Sequence, residues 1–185
     1  MPNYKRYYEN NYYIFITVVT YKRNMILIKN IEKLRESFKK AKNKYQFEIF
    51  GMVVLPDHFH MILKPEIANE YSKIIGSIKS NFTKTIDNES MDNNISISRI
   101  KRREKGVWQR RFYEHTIKNE EELYGYLDYI HYNPVKHGCV KNVRDWEFSS
   151  FHKFVRQEWY DINWGCFEDM KNINNLGDFI YDNVY

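Results

Sequence analysis

Apolar and polar residues follow two spacings along this chain, and their succession outlines the elements. Tyr12–Thr20 (YYIFITVVT) is β-branched and aromatic between polar flanks, which predicts a strand. From Asn30 to Lys44, Ile31, Leu34, Phe38 and Ala41 recur at helical spacing, with Asn30 as the expected N-cap. Phe47–Leu55 (FEIFGMVVL) reads as a second strand, Pro56-Asp57 as a turn, and His58–Lys64 (HFHMILK) as a third strand closing a hairpin. Asn69–Ile86 places Tyr71, Ile74, Ile75, Ile78, Phe82 and Ile86 on one helical face. Asp87–Ser98 is polar and reads as a loop. Val107–Ile117 (VWQRRFYEHTI) reads as a fourth strand. Asn119 then caps a third helix, with Glu120, Glu121 and Glu122 matched to its positive N-terminal end. That helix is expected to stop near Asn133, because Pro134 disfavours helical geometry in the residue before it.

The order β-α-β-β-α-β-α predicts an α+β fold: a ferredoxin-like βαββαβ core with an additional C-terminal helix and a tail. The 185 residues suit one domain, 1–156, with an appendage at 157–185. Trp146, Phe148, Phe151 and Phe154 are expected to dock this C-terminal region onto the body. No apolar run reaches the roughly 20 residues of a membrane span, and the N-terminus lacks the apolar core of a signal peptide. Cys139 and Cys166 make no disulfide framework or zinc spacing, and Cys139 reads as packing. A reducing cytoplasm is the expected compartment.

Charge changes the picture. The net value of +5 is an average. Gln157–Tyr185 holds six acids and one base, a net −5, so Met1–Arg156 carries +10. A basic body with an acidic tail fits a nucleic-acid binder, and the tail is a candidate cover for the binding groove. The densest basic segment, Arg99–Arg111 (RIKRREKGVWQRR), holds Arg99, Lys101, Arg102, Arg103, Lys105, Arg110 and Arg111 against Glu104 alone. Trp108, Phe112 and Tyr113 interleave with it, as a phosphate-contacting, base-stacking surface requires; a solvated loop is the plainer alternative.

Two local patterns carry candidate chemistry. In Leu55-Pro56-Asp57-His58-Phe59-His60, two histidines two apart on a strand share a face, with Phe59 turned into the core. Such a pair either holds a divalent cation with a third donor from elsewhere or serves as hydrogen-bonded polar residues. On the third helix, Tyr129 and Asn133 are four apart and share a face. A phenol can be a nucleophile and an amide oxygen a metal ligand, although core packing explains Tyr129 equally in a chain with 16 tyrosines. Tyr126 and Tyr132 are rival nucleophiles; His131 and His137 read as surface or turn residues.

LPDHFHMI, WQRRFYEH, YIHYNPVKHG and DWEFSSFHKF, in this order, resemble the REP-associated tyrosine transposases, which are single-tyrosine HUH transposases. The resemblance runs from Tyr4 to about Trp164. It implies the same βαββαβ core with a trailing catalytic helix. It also implies Mg²⁺- or Mn²⁺-dependent cleavage and rejoining of single-stranded DNA near hairpins of repeated palindromes, through a 5′-phosphotyrosine. Carried onto this sequence, His58 and His60 match the paired metal ligands and Tyr129 the nucleophile; Asn133 extends a position commonly held by Gln. Lys136, Arg110 and Arg111 are candidate assistants, and Glu114-His115 divides evenly between structure and site. The Asp87–Lys105 stretch departs from the pattern. The partner it implies is hairpin or single-stranded DNA, with no membrane, and a monomer or homodimer is expected. A non-catalytic hairpin binder of the same fold is the alternative. An RNA-binding ferredoxin-like domain would need an RNP aromatic motif on its central strands, and none is present.

Overall fold

A computed structural model describes residues 12–87, 96–102 and 104–165. β1 (Ile14–Val19), α1 (Ile31–Lys42), β2 (Phe47–Val54), β3 (His58–Pro65), α2 (Tyr71–Thr85), β4 (Tyr113–Thr116) and α4 (Glu120–Lys136) follow the expected order. A short α3 (Ile97–Lys101) and an α5 (Phe151–Arg156) add to it. The strands form an antiparallel sheet in the order β2-β3-β1-β4, the ferredoxin-like arrangement.

Every residue of β1 is buried, so both faces of this central strand are covered. Ile14, Ile16 and Val18 join Phe59, Met61 and Leu63 of β3 against α1 and α2. Phe15 and Ile62 point the other way and pack with Leu123, Tyr126, Leu127, Tyr129 and Ile130 of α4. α4 therefore lies on the opposite face from α1 and α2, joined there by Phe154 of α5, and the strand period of two divides the residues of β1 and β3 between the two layers.

α4 comes very close to β2. A Cβ added at Gly51 would sit 2.5 Å from Leu127 Cδ1, next to the bulge between Ile49 and Gly51. Leu127 is fully buried and has little room to yield. Gly51→Ala is expected to cost about 1–3 kcal/mol by overpacking, measured as a loss in urea unfolding free energy. An unchanged midpoint would mean that α4 shifts freely on the sheet.

Three expectations about elements need correction. α4 does not stop at Asn133 but continues through Pro134 to Lys136. Proline removes only one backbone donor here, in the last turn, and that turn is closed by His137 N–H to Asn133 O, Gly138 N–H to Val135 O and Cys139 N–H to Pro134 O. The fourth strand is confined to Tyr113–Thr116; before it the chain makes an isolated bridge between Trp108 and Thr20. Asn30 precedes α1, but its amide donates backwards to Ile26 O instead of capping. Asn119 does cap α4, its Oδ1 accepting from Glu122 N–H at 2.8 Å.

The C-terminal segment docks as expected. Phe148 O and Ser150 N–H bond to Val54 N–H and Met52 O, so this segment covers the edge of β2. Trp146 Nε1 donates to Val54 O, and Phe151 and Phe154 are buried. The chain then returns to α4, where Tyr160 donates to Asp128. Of the acidic tail, 157–185, proposed to cover the binding groove, residues 166–185 lie outside the described residues, as do Cys166 and Arg103. Among the described residues no helix is long and apolar enough to cross a membrane.

Candidate active site

β3 begins with the two histidines, and its alternation turns both toward α4 while Phe59 is buried on the other face. Their ring centroids are 4.8 Å apart, and each is 3% exposed. Neighbours fix both rings through Nδ1. Asp57 accepts from His58 Nδ1 at 2.6 Å and from Arg23 at 2.7 Å. Burial alone would raise Asp57, but the hydrogen bonds and charges of His58 and Arg23 outweigh it and hold the carboxyl down at about 2. His60 Nδ1 pairs with Thr17 Oγ1 at 2.8 Å, directly across the β1–β3 ladder. Burial, followed by the charges of His58 and His137, depresses His60 well below an ordinary imidazole, so it is neutral. With Nδ1 engaged, Nε2 is left as the available lone pair on each ring.

α4 supplies the opposite wall. Tyr129 is 2% exposed, with its ring 5.2 Å from His60 and 5.9 Å from Phe15. Asn133, one turn later, is fully buried beside His60, where it partly offsets the depression of the imidazole. Asn133 reaches toward the imidazole with a weak side-chain hydrogen bond, yet neither His60 Nε2 nor Asn133 Oδ1 completes a well-formed hydrogen bond among the described residues. Two orphaned buried polar atoms side by side are costly unless something else binds them. Lys136 Nζ lies 5.5 Å from the Tyr129 ring centroid. Tyr126 instead stacks on Phe15 at 4.4 Å and leans on His115; burial, with Tyr113 and Glu122, drives its phenol far upward. Tyr132 is only partly buried.

Among the described residues no three His, Cys, Asp or Glu side chains form a metal cage. A cation at the histidine pair therefore needs a donor of another type, and the orphaned Asn133 oxygen fits a hard divalent ion beside two imidazoles.

The model of the family described as "Transposase IS200 like" matches residues 7–133, a span that includes both histidines, Tyr129 and Asn133. A Haemophilus influenzae protein provisionally named a REP-associated tyrosine transposase is 39% identical over 173 residues, 92% of this chain and 97% of that protein. The Escherichia coli REP-associated tyrosine transposase is 37% identical over 89% of this chain and 91% of its own. This chain belongs to the REP-associated tyrosine transposases, within the IS200-like transposase family. A solved structure of a REP-associated tyrosine transposase bound to a REP hairpin superposes with a TM-score of 0.74 at 37% identity, covering 89% of this chain and 91% of that one.

Around this transposase site the structure redistributes several residues. His131 and His137 were expected as surface or turn residues, which holds for His137, in the turn that ends α4, but not for His131. His131 is instead fully buried, enclosed by Phe151, Phe154 and Tyr160, with Nε2 bonded to Ser150. His137 is half-buried, its ring 5.1 Å from His58. Sequence reading also missed Thr17, Asp57 and Arg23 as orienting partners; Asp57, adjacent to the first histidine, was the one local signal. Glu114 and His115 both pack structurally. Glu114 accepts from Tyr71 on the α1–α2 side, and His115 pairs with Glu122.

The basic segment is partly internal. Arg99 bonds to Glu104 and Trp108 O and lies over Tyr21 at 4.0 Å. Trp108 cannot stack bases from the surface as expected, because it is buried against Phe59 and Phe82 with Nε1 donating to Lys79 O. Arg110 is exposed and pairs with Glu104, while Lys101, Arg102 and Arg111 are exposed.

Burial holds His131 neutral, depressed to about 3. Its folded value lies below the unfolded one of about 6.5, so as pH falls through 6.5 the unfolded chain takes up a proton that the folded chain refuses. This contribution to stability is complete above pH 6.5 and shrinks toward pH 3. The melting temperature of His131→Phe is expected to fall less steeply over this range than that of the parent; parallel curves would remove His131 as the cause.

Proposed function

We propose that this transposase cleaves and rejoins single-stranded DNA beside hairpins, with Tyr129 as nucleophile and His58, His60 and Asn133 holding Mg²⁺ or Mn²⁺. The observation that carries this reading is the meeting of Tyr129, Asn133 and the two oriented histidines across the sheet–α4 seam, with His60 Nε2 and Asn133 Oδ1 left unsatisfied. The hairpin assignment draws on the related transposase bound to a REP hairpin.

Tyr129 Oη attacks the phosphorus, the P–O3′ bond breaks, and the released O3′ takes a proton. The DNA 5′ end remains as a phosphotyrosine diester. The bond energy is conserved, so a 3′-OH reverses the step without a nucleotide cofactor. Bound at the site, the cation would polarise the scissile phosphate and offset its developing charge. The protein's part is orientation: Asp57 and Thr17 fix the imidazole tautomers, and Lys136 places its ammonium over the Tyr129 ring, 5.5 Å from the centroid. Tyr129 is covered in the free chain, so strand entry must displace side chains above it.

The test is incubation with hairpin-flanked single strands and Mn²⁺, looking for a covalent protein–DNA adduct on a denaturing gel. Hairpin binding with no adduct under either metal would leave a non-catalytic binder.

A further inference from the structure

Behind the histidine pair, on the other side of the sheet, the basic segment is bolted to α2. Lys79 Nζ donates to Gln109 O at 2.7 Å and to Arg110 O, and the Trp108 indole donates to Lys79 O. Arg99 and Arg110 clasp Glu104 from two sides. These bonds frame a cleft of about 350 Å³ whose lining includes Lys84, Lys105, Arg110, Ser80, Thr83 and the edge of Trp108. With Lys79 and Arg99 counted, five cations face one carboxylate. The bases are unequal in role. Lys79, Arg99 and Arg110 are committed to the walls, while Lys84 and Lys105 are exposed and form no ion pair among the described residues.

The cleft and the candidate active site share a backbone junction. Thr20 N–H bonds to Asp57 O, next to His58, while Thr20 also bridges Trp108 and Tyr21 N–H bonds to Val107 O. The Trp108 ring packs 6.1 Å from Phe59, which lies between the two histidines on the reverse face. The end of β1 therefore joins the backbone beside His58 to the backbone that lines the cleft.

We infer that this cleft is a second nucleic-acid subsite, holding one unpaired nucleotide and its flanking phosphates from the strand cut at Tyr129. The volume suits a nucleotide rather than a duplex, and the hydroxyls and ammonium groups suit phosphate oxygens, while Val107 and the edge of Trp108 leave only a narrow apolar margin beside the base. The inference rests on the strand-cleavage reading only for which strand enters; the binding itself is separable from cleavage.

The experiment uses the full chain and a labelled oligothymidine of about 15 nucleotides, long enough for a single-strand site, followed by fluorescence anisotropy across a salt series. Lys84→Gln/Lys105→Gln is expected to weaken binding about tenfold and to flatten the log–log salt slope by about 1.4, or about 0.7 for each lost phosphate contact. Lys40→Gln/Lys42→Gln on α1 removes the same charge from exposed positions away from the cleft and is expected to leave the slope unchanged. Equal losses in both double variants would reduce the effect to diffuse charge and overturn the subsite, as would no loss in either. Folding is checked by melting temperature, since both pairs are surface changes. Cleavage is scored separately: a missing Tyr129 adduct with the cleft effect intact refutes the nuclease reading alone. An adduct that forms at saturating DNA while both slopes stay unchanged refutes the subsite alone.

Discussion

Tyr129→Phe is expected to lose the covalent DNA adduct entirely and to lower strand cleavage by at least about a thousandfold, as removal of a nucleophile does in covalent catalysis. Folding should barely register the change. The ring keeps its edge contacts with His60 and Phe15, and only the hydroxyl goes, so stability should move by no more than about 1 kcal/mol. Hairpin affinity should also persist, because the substitution removes one buried hydroxyl and no charge. The neighbour supplies the control. Tyr126 stacks on Phe15 and His115 rather than on the histidine pair. Tyr126→Phe should retain the adduct. An adduct that survives in Tyr129→Phe and disappears in Tyr126→Phe would move the nucleophile one turn up the helix.

How much of this was legible in the sequence follows from how local each signal is. HFHMILK alternates strictly, so the shared face of His58 and His60 and the opposite face of Phe59 could be read from two-residue periodicity. The Asn119 cap was equally local. Pro134 misled because its rule concerns the preceding residue's own preference, whereas Asn133 and Pro134 are buried against the sheet and held helical by the bonds of the last turn. Trp108 misled because aromatic residues among cations describe a stacking surface and a buried bracket equally well; the indole bond to Lys79 O, 29 residues away, decides between them. His131 has no local mark of burial at all. Its cage of Phe151, Phe154 and Tyr160 arrives from a segment that closes over α4 only in three dimensions. The candidate residues His58, His60, Tyr129 and Asn133 stood out by local spacing, while the orienting partners Thr17 and Arg23 were set by strand register and a loop.

Asn133→Leu separates a ligand from a structural amide, because the two roles predict opposite signs. Asn133 is fully buried, its Oδ1 has no partner among the described residues, and its Nδ2 reaches Tyr129 O only at 3.4 Å. A side chain kept for structure would normally be satisfied; one kept for a cation is left waiting, and the metal-free fold carries the cost. Leucine removes that unsatisfied oxygen and adds apolar contact, so the metal-free variant should be about 1 kcal/mol more stable. Its Mn²⁺ affinity, read by calorimetric titration, should fall by more than the ten- to hundredfold typical of losing an outer-shell partner. Cleavage should fall with it. Asn133→Gln keeps the amide oxygen on a longer arm and should recover much of the Mn²⁺ affinity that leucine loses. Leucine that destabilises the metal-free chain and leaves Mn²⁺ affinity unchanged would make Asn133 a packing residue. The third donor at the histidine pair would then have to be sought among the groups around His58, where the His137 ring lies 5.1 Å away.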